Sequence, residues 1–266
     1  MRDEPGGSLG SLRRGPQFDA ERLVPEEADS GNLAFSLRRY EFGAGRSQGR
    51  IVLDAGCGTG YGSALVAATA SWVIGVDCDP RAVAYAARRY RRRNLAFVPA
   101  VVTALPFHDQ SFDLVVSFEV VEHLPTPRHH HDFFAEVTRV LRRDGLFIVS
   151  TSNREVTVPH QTSVGIHVDA HLTEMDADTF QRELESGFRV ESFTGMRYRG
   201  NKLYGLLRAL DPLNLRLRLP PAMRESLAHT FFGVSRDVAS SANVVISPDQ
   251  LRQADHFLAV CRPRHQ

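Results

Sequence analysis

A run of glycines behind an acidic residue holds the groups best suited to bind a ligand. It consists of Leu53-Asp54-Ala55-Gly56-Cys57-Gly58-Thr59-Gly60. Glycines at 56, 58 and 60 permit a tight turn and let a ligand lie against backbone amides at the start of a helix. Asp54 suits a ligand with a cationic end, because a carboxylate accepts hydrogen bonds from an ammonium group and repels a pyrophosphate. The spacing D-x-G-x-G-x-G therefore predicts a binding loop.

Asp77 lies seventeen residues after Gly60, where a second predicted strand ends. A carboxylate at this place in an α/β sheet can accept two hydrogen bonds from the hydroxyls of a ribose. An acidic residue alone at such a position is also a common helix cap or turn residue. Its distance from the glycine loop favours the ribose interpretation and predicts an adenosine-type ligand.

Three polar residues that follow the fourth and fifth predicted strands are candidate catalytic groups: His123, His171 and Glu174. An imidazole or carboxylate with a pKa near neutrality can take a proton from a hydroxyl or a protonated amine. The alternative for each histidine is a packed side chain that hydrogen-bonds the backbone at a strand end.

Two other groups of histidines are interpreted structurally. The histidines at 129–131 begin an amphipathic helix, and side chains one residue apart diverge by about 100 degrees, so a solvated helix end is predicted. His167, Asp169 and His171 alternate and would share one face of an extended segment, which leaves a divalent-ion site as the minor alternative. The prediction is that the chain holds no metal.

Strands and helices alternate along most of the chain. The predicted strands are 51–53, 72–76, 95–98, 114–118, 146–151, 189–194 and 256–261. The intervening helices show apolar residues on one face, and Asp79-Pro80 is typical of an N-cap followed by the first helical position. This alternation predicts an α/β fold with a doubly wound, mostly parallel sheet.

Three parts make up the predicted domain organisation. Residues 1–16, rich in Gly, Ser, Arg and Pro, are predicted to be a disordered tail. Residues 17–196 and 255–266 form the binding domain, with short helices beside the sheet before residue 50. Residues 197–254 carry leucines at helical and then alternating spacing, and are predicted to be an inserted helical cap or dimerisation segment. A homodimer through this segment is expected.

Composition argues against several classes of partner. The formal net charge is +1 over 266 residues, which disfavours nucleic acid, and the arginine-rich run 88–93 is predicted to be a solvated helix end. Cys57, Cys78 and Cys261 are odd in number without paired spacing, as in a reducing compartment. No stretch reaches about 18 apolar residues and no apolar signal core is present. A cytoplasmic protein without a membrane partner is predicted.

Several motifs together resemble the class I S-adenosylmethionine-dependent methyltransferases. The motifs are Val52–Gly60, Val76-Asp77, Phe112-Asp113-Leu114-Val115, Glu119 and Glu122-His123-Leu124, with Glu21-Arg22-Leu23-Val24-Pro25 and Arg39-Tyr40 shared with a bacterial group. The resemblance spans roughly residues 21–196 and the last strand. It implies a seven-stranded Rossmann-like sheet whose last strand is antiparallel, and S-adenosyl-L-methionine as the cofactor.

The resemblance also implies a set of cofactor contacts. Asp54 and the loop glycines hold the methionine end, Asp77 holds the ribose, and Phe118 and Glu119 lie at the cofactor edge. The complete predicted set is Tyr40, Asp54, Ala55, Gly56, Cys57, Gly58, Gly60, Asp77, Cys78, Val101, Val102, Phe118 and Glu119. Val101 departs from the class, which usually has an acidic residue there to accept a hydrogen bond from the adenine amine. Its absence weakens cofactor binding by about 1 kcal/mol.

The leading hypothesis is methyl transfer to a small-molecule acceptor, with oxygen as the first acceptor atom considered and nitrogen the second. The displacement at a sulfonium is in-line and needs alignment more than covalent help from the enzyme. Lys202 is the single lysine among 32 basic residues, a bias typical of GC-rich coding in a high-GC bacterium. This composition and the resemblance together suggest specialised-metabolite, antibiotic or sugar-related biosynthesis. Two alternatives stay open: a protein that binds the same cofactor for a cyclisation or a structural role, and an NAD-dependent oxidoreductase, which Asp54 disfavours.

Overall fold

The computed structural model describes residues 22–25, 28, 30–157, 172–198, 240–249 and 251–264. The predicted tail 1–16, the candidate base His171 and most of the predicted insertion therefore lie outside the described residues. Within the described part of the chain, no helix combines the length and apolar character that crossing a bilayer requires.

The described elements begin with one helix and then alternate. The helices are α1 (Ser30–Ala44), α2 (Tyr61–Val66), α3 (Pro80–Arg89), α4 (Pro127–Val140) and α5 (Ala177–Gly187), with short helical turns at Val121–His123, 154–157, Ser241–Asn243 and Leu251–Gln253. The strands are β1 (Ile51–Ala55), β2 (Trp72–Asp77), β3 (Leu95–Pro99), β4 (Phe112–Phe118), β5 (Leu141–Ser152), β6 (Phe188–Tyr198), β7 (Val244–Ser247) and β8 (His256–Pro263). The predicted cap of α3 is confirmed, because the Asp79 side chain accepts a hydrogen bond from the amide of Arg81 and Pro80 follows it.

The strands form one sheet in the order β3-β2-β1-β4-β5-β8-β6-β7. β1 is parallel to β2 and β4, β2 to β3, and β4 to β5, whereas β8 is antiparallel to β5 and β6. The predicted α/β fold, doubly wound and mostly parallel with an antiparallel last strand, is confirmed. The chain order reverses beside β1, and ligands in such sheets bind at the carboxyl ends of the strands near that reversal.

The predicted count of seven strands is wrong, because β7 adds an eighth at the sheet edge. Its residues pair antiparallel with β6, from Gly195 opposite Ser247 to Tyr198 opposite Val244. Four residues are too few to show a two-residue period, so pairing with β6 decides their structure. Residues 244–247 therefore belong to the sheet and not to a cap, while 199–239 lie outside the described residues.

Packing on the two sheet faces brings α1 to the carboxyl edge. One face is covered by α4 and α5 through large aromatic residues, among them Phe133, Phe147, Phe180, Phe188 and Phe257. The other face packs against α1, which is one 15-residue helix where several short helices were predicted. Contacts of α1 with α2 and β4 place Arg39 and Tyr40 next to the glycine loop.

Candidate functional site

The glycine loop, Asp54–Gly60, joins the carboxyl end of β1 to α2. Gly56, Gly58 and Gly60 have φ angles of 86°, 52° and 84°, which side chains disfavour. A Cβ on Gly60 would lie 2.6 Å from the Cβ of Ala86, whereas a Cβ on Gly58 would meet nothing within 4 Å. The loop therefore packs tightly where it joins the fold and leaves an open face above Gly58 that a ligand can occupy.

The loop amides are used inside the protein, which corrects the expectation that a ligand lies against them. The amides of Gly56 and Cys57 both donate to the carbonyl of Val76, at 2.8 Å each. The amide of Gly58 donates to Oδ2 of Asp77 at 2.9 Å. A pyrophosphate bound at a helix start needs free amides of this kind. The amides of Gly56, Cys57 and Gly58 are thus already bonded and are not offered to a pyrophosphate.

Asp54 is fully buried beneath the glycine loop. The Tyr40 hydroxyl donates to its Oδ1 at 3.3 Å, and the Ser63 hydroxyl donates to its Oδ2 at 2.5 Å. Burial raises the pKa of Asp54 to about 7, although both hydroxyl donors act in the opposite direction. With no exposed surface, Asp54 holds together the loop and the helices that carry Tyr40 and Ser63, and its role toward a ligand stays a prediction.

Tyr40 reaches Asp54 across a glycine of α2. A Cβ on Gly62 would lie 2.0 Å from Cζ of Tyr40, so no other residue leaves room for the ring. The ring also meets Phe118 edge-on, with centroids 5.0 Å apart. Tyr40 and Phe118 are both almost completely buried, at 4% and 7% exposure. They form a wall between the glycine loop and the end of β4.

Asp77 ends β2 directly beside the open face of the loop. Its Oδ2 accepts the Gly58 amide, and its Oδ1 accepts the Asp79 amide at 2.9 Å. The guanidinium of Arg22 also approaches Oδ1, at 3.3 Å. The two backbone donors fix the carboxylate in place, and a ribose diol would take the remaining position on Oδ2 together with the position on Oδ1 that Arg22 now occupies. The ribose contact of Asp77 stays a prediction that this geometry favours.

Residues 22–25 lie across the same part of the site. The Thr59 hydroxyl donates to the carbonyl of Leu23 at 2.7 Å, and Val24 is buried. Together with the Arg22–Asp77 ion pair, these contacts tie the segment to the loop and to the end of β2. Sequence reasoning named this motif only as a family mark and missed its contact with Asp77.

The other predicted cofactor residues differ in access to a ligand. Ala55 and Cys57 are buried, so they can contribute only backbone atoms, and burial raises the pKa of the Cys57 thiol well above its usual value. Cys78 is exposed and Val102 half-buried. Val101 is 51% exposed just beyond β3, an apolar side chain in the open where the adenine ring is predicted to lie.

Beyond β4, the same sheet edge carries a charged cluster of Arg39, Glu119, Ser150 and His256. Nη1 of Arg39 lies 3.2 Å from Oε1 of Glu119, and Nδ1 of His256 lies 2.8 Å from Oε2. The Ser150 hydroxyl donates to Oε1 at 2.8 Å. Burial raises the pKa of Glu119, but Arg39, His256 and Ser150 together hold it well below its usual range. Sequence reasoning found Glu119 and missed its three partners.

Two of the predicted catalytic residues, His123 and Glu174, lie in the described part of the chain. His123 ends the short helical turn that follows β4, and both His123 and Glu174 are half-buried. The amide of Thr173 donates to the carbonyl of Glu122 at 3.2 Å, which docks the segment carrying Glu174 on the turn carrying His123. His171 and the alternating residues 167–171 lie outside the described residues.

The prediction of a solvated histidine run is wrong for its middle member. His130 is 2% exposed, and its Nε2 lies 2.9 Å from the Thr173 hydroxyl, whereas His131 is exposed. Burial lowers the pKa of His130. Its helical spacing to Phe133, Phe134 and Val137 is the signal that could have placed it on the buried face.

Among the residues that the structure describes, no cluster of three His, Cys, Asp or Glu is arranged for a metal ion.

Comparison with known proteins connects this site to a family. Residues 53–149 match the methyltransferase domain family. A protein of Mycolicibacterium smegmatis, named as a probable S-adenosylmethionine-dependent methyltransferase, is 38% identical over 182 residues, which are 66% of this chain and 66% of that protein. A similarly named protein of Mycobacterium tuberculosis H37Rv is 38% identical over 66% of this chain and 62% of its own length. The chain thus spans slightly less than two thirds of these relatives.

A solved structure supports the fold independently. The PH0226 protein of Pyrococcus horikoshii superposes with a TM-score of 0.58 at 18% identity, over 91% of this chain and 97% of that one. The sheet order and the loop with its amides already bonded define a Rossmann-like domain for an adenosine ligand. Among proteins with such a domain, the matched family and the mycobacterial relatives point to methyltransferases. These findings support a class I S-adenosylmethionine-dependent methyltransferase, a family whose cofactor is S-adenosyl-L-methionine. The open face above Gly58 and the fixed carboxylate of Asp77 fit this cofactor.

Proposed function

We propose that the chain transfers a methyl group from S-adenosylmethionine to a small-molecule acceptor, with oxygen as the preferred acceptor atom and nitrogen as the second candidate. The observation that carries the proposal is the carboxylate of Asp77, fixed by the Gly58 amide at the open side of a loop in which the amides of Gly56, Cys57 and Gly60 are also bonded within the protein. This arrangement favours a sugar diol over a pyrophosphate. Asp54, Tyr40 and the loop glycines would hold the methionine end through the backbone they position.

The position of the basic residues favours a small acceptor. The run 88–93 lies at the end of α3 and before β3 begins. Since parallel strands have their carboxyl ends at one edge, this run is at the edge opposite the glycine loop. A polyanionic acceptor would need positive charge leading to the site itself. The arginine run therefore supplies no track to the reacting end of the sheet.

Cofactor binding is tested first. Asp77→Ala should weaken S-adenosylhomocysteine binding at least about 100-fold, because it removes the carboxylate predicted to bind the ribose and also the acceptor for the Gly58 amide. Calorimetric titration measures the affinity, and Asp109→Ala, at an exposed aspartate, is the matched control. Unchanged affinity in a folded Asp77→Ala protein, or tight binding of NAD to wild type, would contradict the assigned site.

The acceptor class is tested with labelled cofactor. Purified protein, S-adenosylmethionine labelled on the methyl group and an extract of the organism that encodes the chain are incubated, and the extract is separated by size. We expect label in the small-molecule fraction, with the methyl on oxygen or nitrogen by mass spectrometry. Label only in protein or nucleic acid would contradict the proposal.

The labelled product also tests the biosynthetic assignment. We propose a specialised-metabolite or sugar-related acceptor, supported by the family resemblance and the arginine-rich composition. A methylated primary metabolite would contradict this part alone.

We further propose a cytoplasmic homodimer that forms through the predicted insertion 197–254. Light scattering measures the number of subunits formed by the full chain and by a chain lacking residues 199–239. A shortened chain that is still a dimer would contradict the role of this segment.

A further inference from the structure

The geometry points to His256 as the general base that takes the proton from the acceptor, with Glu119 holding the opposite side of its imidazole ring. This inference rests on the proposed transfer to oxygen or nitrogen, since only such an acceptor carries a proton to be removed. It concerns a residue far along the chain from every candidate base that the sequence indicated.

The ring is held on one nitrogen by a fixed carboxylate. Nδ1 of His256 lies 2.8 Å from Oε2 of Glu119, and the other oxygen of Glu119 contacts both Arg39 and the Ser150 hydroxyl. The Phe35 ring packs on the imidazole at 4.7 Å between centroids. With Arg39 and Ser150 holding Glu119 in place and an aromatic ring beside the imidazole, the 2.8 Å approach of Glu119 favours the tautomer that carries its proton on Nδ1 and leaves the lone pair on Nε2.

The position in the sheet puts this ring where an acceptor can reach it. His256 is the first residue of β8 and pairs with Ser152 at the carboxyl end of β5. β5 neighbours β4, and β4 neighbours β1, which leads into the glycine loop. The His256 side chain is 18% exposed, so it is packed without being closed off. It therefore lies at the same sheet edge as the cofactor loop, with two strands, β4 and β5, between them.

The surrounding charges favour an imidazole that can accept a proton. Glu119 has a pKa below its usual range, because the charge of Arg39 and the hydrogen bond from Ser150 act against its burial whatever the state of the imidazole. Glu122, from the turn after β4, is buried and close to Glu119, and both effects raise its pKa well above the usual value. The groups on the neighbouring elements are as follows: α1 contributes Arg39, which pairs with Glu119. On β6 the apolar Met196 lies opposite His256. Two residues further along β6 is Tyr198, whose ring packs beside Phe35.

The chemical step is balanced with these groups alone. A lone pair on the acceptor oxygen or nitrogen forms the bond to the methyl carbon, while the carbon–sulfur bond breaks and its electron pair stays on sulfur. The proton released by the acceptor passes to Nε2 of His256. The imidazolium that forms is stabilised by the Glu119 carboxylate and returns its proton to solvent after product release.

The first test needs no acceptor. The full chain, with 15N-labelled histidine and bound S-adenosylhomocysteine, is titrated by NMR. We expect the neutral ring of His256 to carry its proton on Nδ1, and we expect Glu119→Gln to shift the ring toward the tautomer protonated on Nε2. A neutral ring protonated on Nε2 would overturn the proposal. If Glu119→Gln does not fold because Arg39 loses its partner, the wild-type tautomer decides by itself.

The second test uses the untreated small-molecule fraction of the extract as acceptor, with S-adenosylmethionine labelled on the methyl group. His256→Gln should lower kcat about 10²–10⁴-fold at neutral pH, with less loss at high pH, and leave S-adenosylhomocysteine affinity unchanged. His130→Gln, at a buried histidine on α4, is the matched control and should retain kcat. Wild-type kcat in His256→Gln would overturn the proposal. If no fraction accepts label from wild type, the proposed function fails, and the NMR titration still decides the state of His256.

Discussion

Two acidic residues at the site, Asp54 and Glu119, respond in opposite ways to similar surroundings. Asp54, beneath the glycine loop, is completely buried among hydroxyl donors, and its pKa is raised to about 7. Glu119, in the charged cluster, has 23% of its side chain exposed, and its pKa is held well below the usual range. Burial raises the pKa in both cases, so the nearby Arg39 and His256 decide the difference. The loop is organised by neutral hydrogen bonds and the cluster by charge.

The largest expected effect comes from removing the cation of the cluster. Arg39→Met should lower the free energy of unfolding by about 3–5 kcal/mol, because Glu119 loses the buried partner that stabilises its charge. Urea unfolding at pH 7.5 measures it. Arg38→Met is the matched control on the same helix, since Arg38 is 39% exposed in its pair with Glu41 and should contribute under about 1 kcal/mol. Equal losses in both variants would contradict a charge-organised cluster.

The pH dependence of stability tests whether Asp54, beneath the glycine loop, is neutral in the folded protein. In the folded protein Asp54 keeps its proton up to about pH 7, whereas its ordinary pKa is 3.8. The folded state therefore binds one more proton than the unfolded state between these values. This group makes stability fall as pH rises from about 4 to about 7, with no further change above that.

Asp54→Asn should remove this slope, because an amide does not ionise. At pH 8 the variant should be more stable than wild type by up to about 4 kcal/mol, and near pH 4 the two should differ little. Unfolding free energies at several pH values measure the difference. Asp109→Asn, at an exposed carboxylate, controls for the loss of a negative charge. An unchanged slope in Asp54→Asn would mean that Asp54 is ionised in the fold.

Gly62→Ala tests the packing that carries Tyr40 to Asp54. The added Cβ would lie 2.0 Å from the Tyr40 ring, so the ring must move and its hydrogen bond to Asp54 must weaken. A loss of about 1–3 kcal/mol in the free energy of unfolding is expected, together with weaker S-adenosylhomocysteine binding. Gly187→Ala, where a Cβ meets nothing within 4 Å, should change stability by under about 0.5 kcal/mol. Similar losses at both glycines would contradict the packing role.

Val101→Asp gives the smallest expected effect and probes the far end of the cofactor site. An acceptor placed on this exposed position should tighten S-adenosylhomocysteine binding by about 1 kcal/mol, or about fivefold. Calorimetry measures the affinity, and Val101→Thr controls for loss of the apolar side chain. No gain would mean that adenine lies elsewhere.

Prediction from sequence succeeded where a few neighbouring residues decide the structure. The cap formed by Asp79 and Pro80 and the turn at the glycine loop follow from local backbone preferences, so their motifs identify them. Prediction failed for β7, whose four residues form a strand only because β6 offers an edge. It also failed for His130, because the run of three histidines obscured the helical spacing that buries it.

The sequence by itself determined the class of sheet, the glycine loop and the acidic residue that ends β2, since each depends on residue types at short spacing. The tertiary structure decided which charges meet: Arg22 with Asp77, Arg39 with Glu119, and Glu119 with His256. The partners in these pairs come from distant parts of the chain, and only helix docking and strand pairing bring them within a few ångströms. Because the Coulomb interaction depends on that distance and on burial, the direction of each pKa shift follows from the fold.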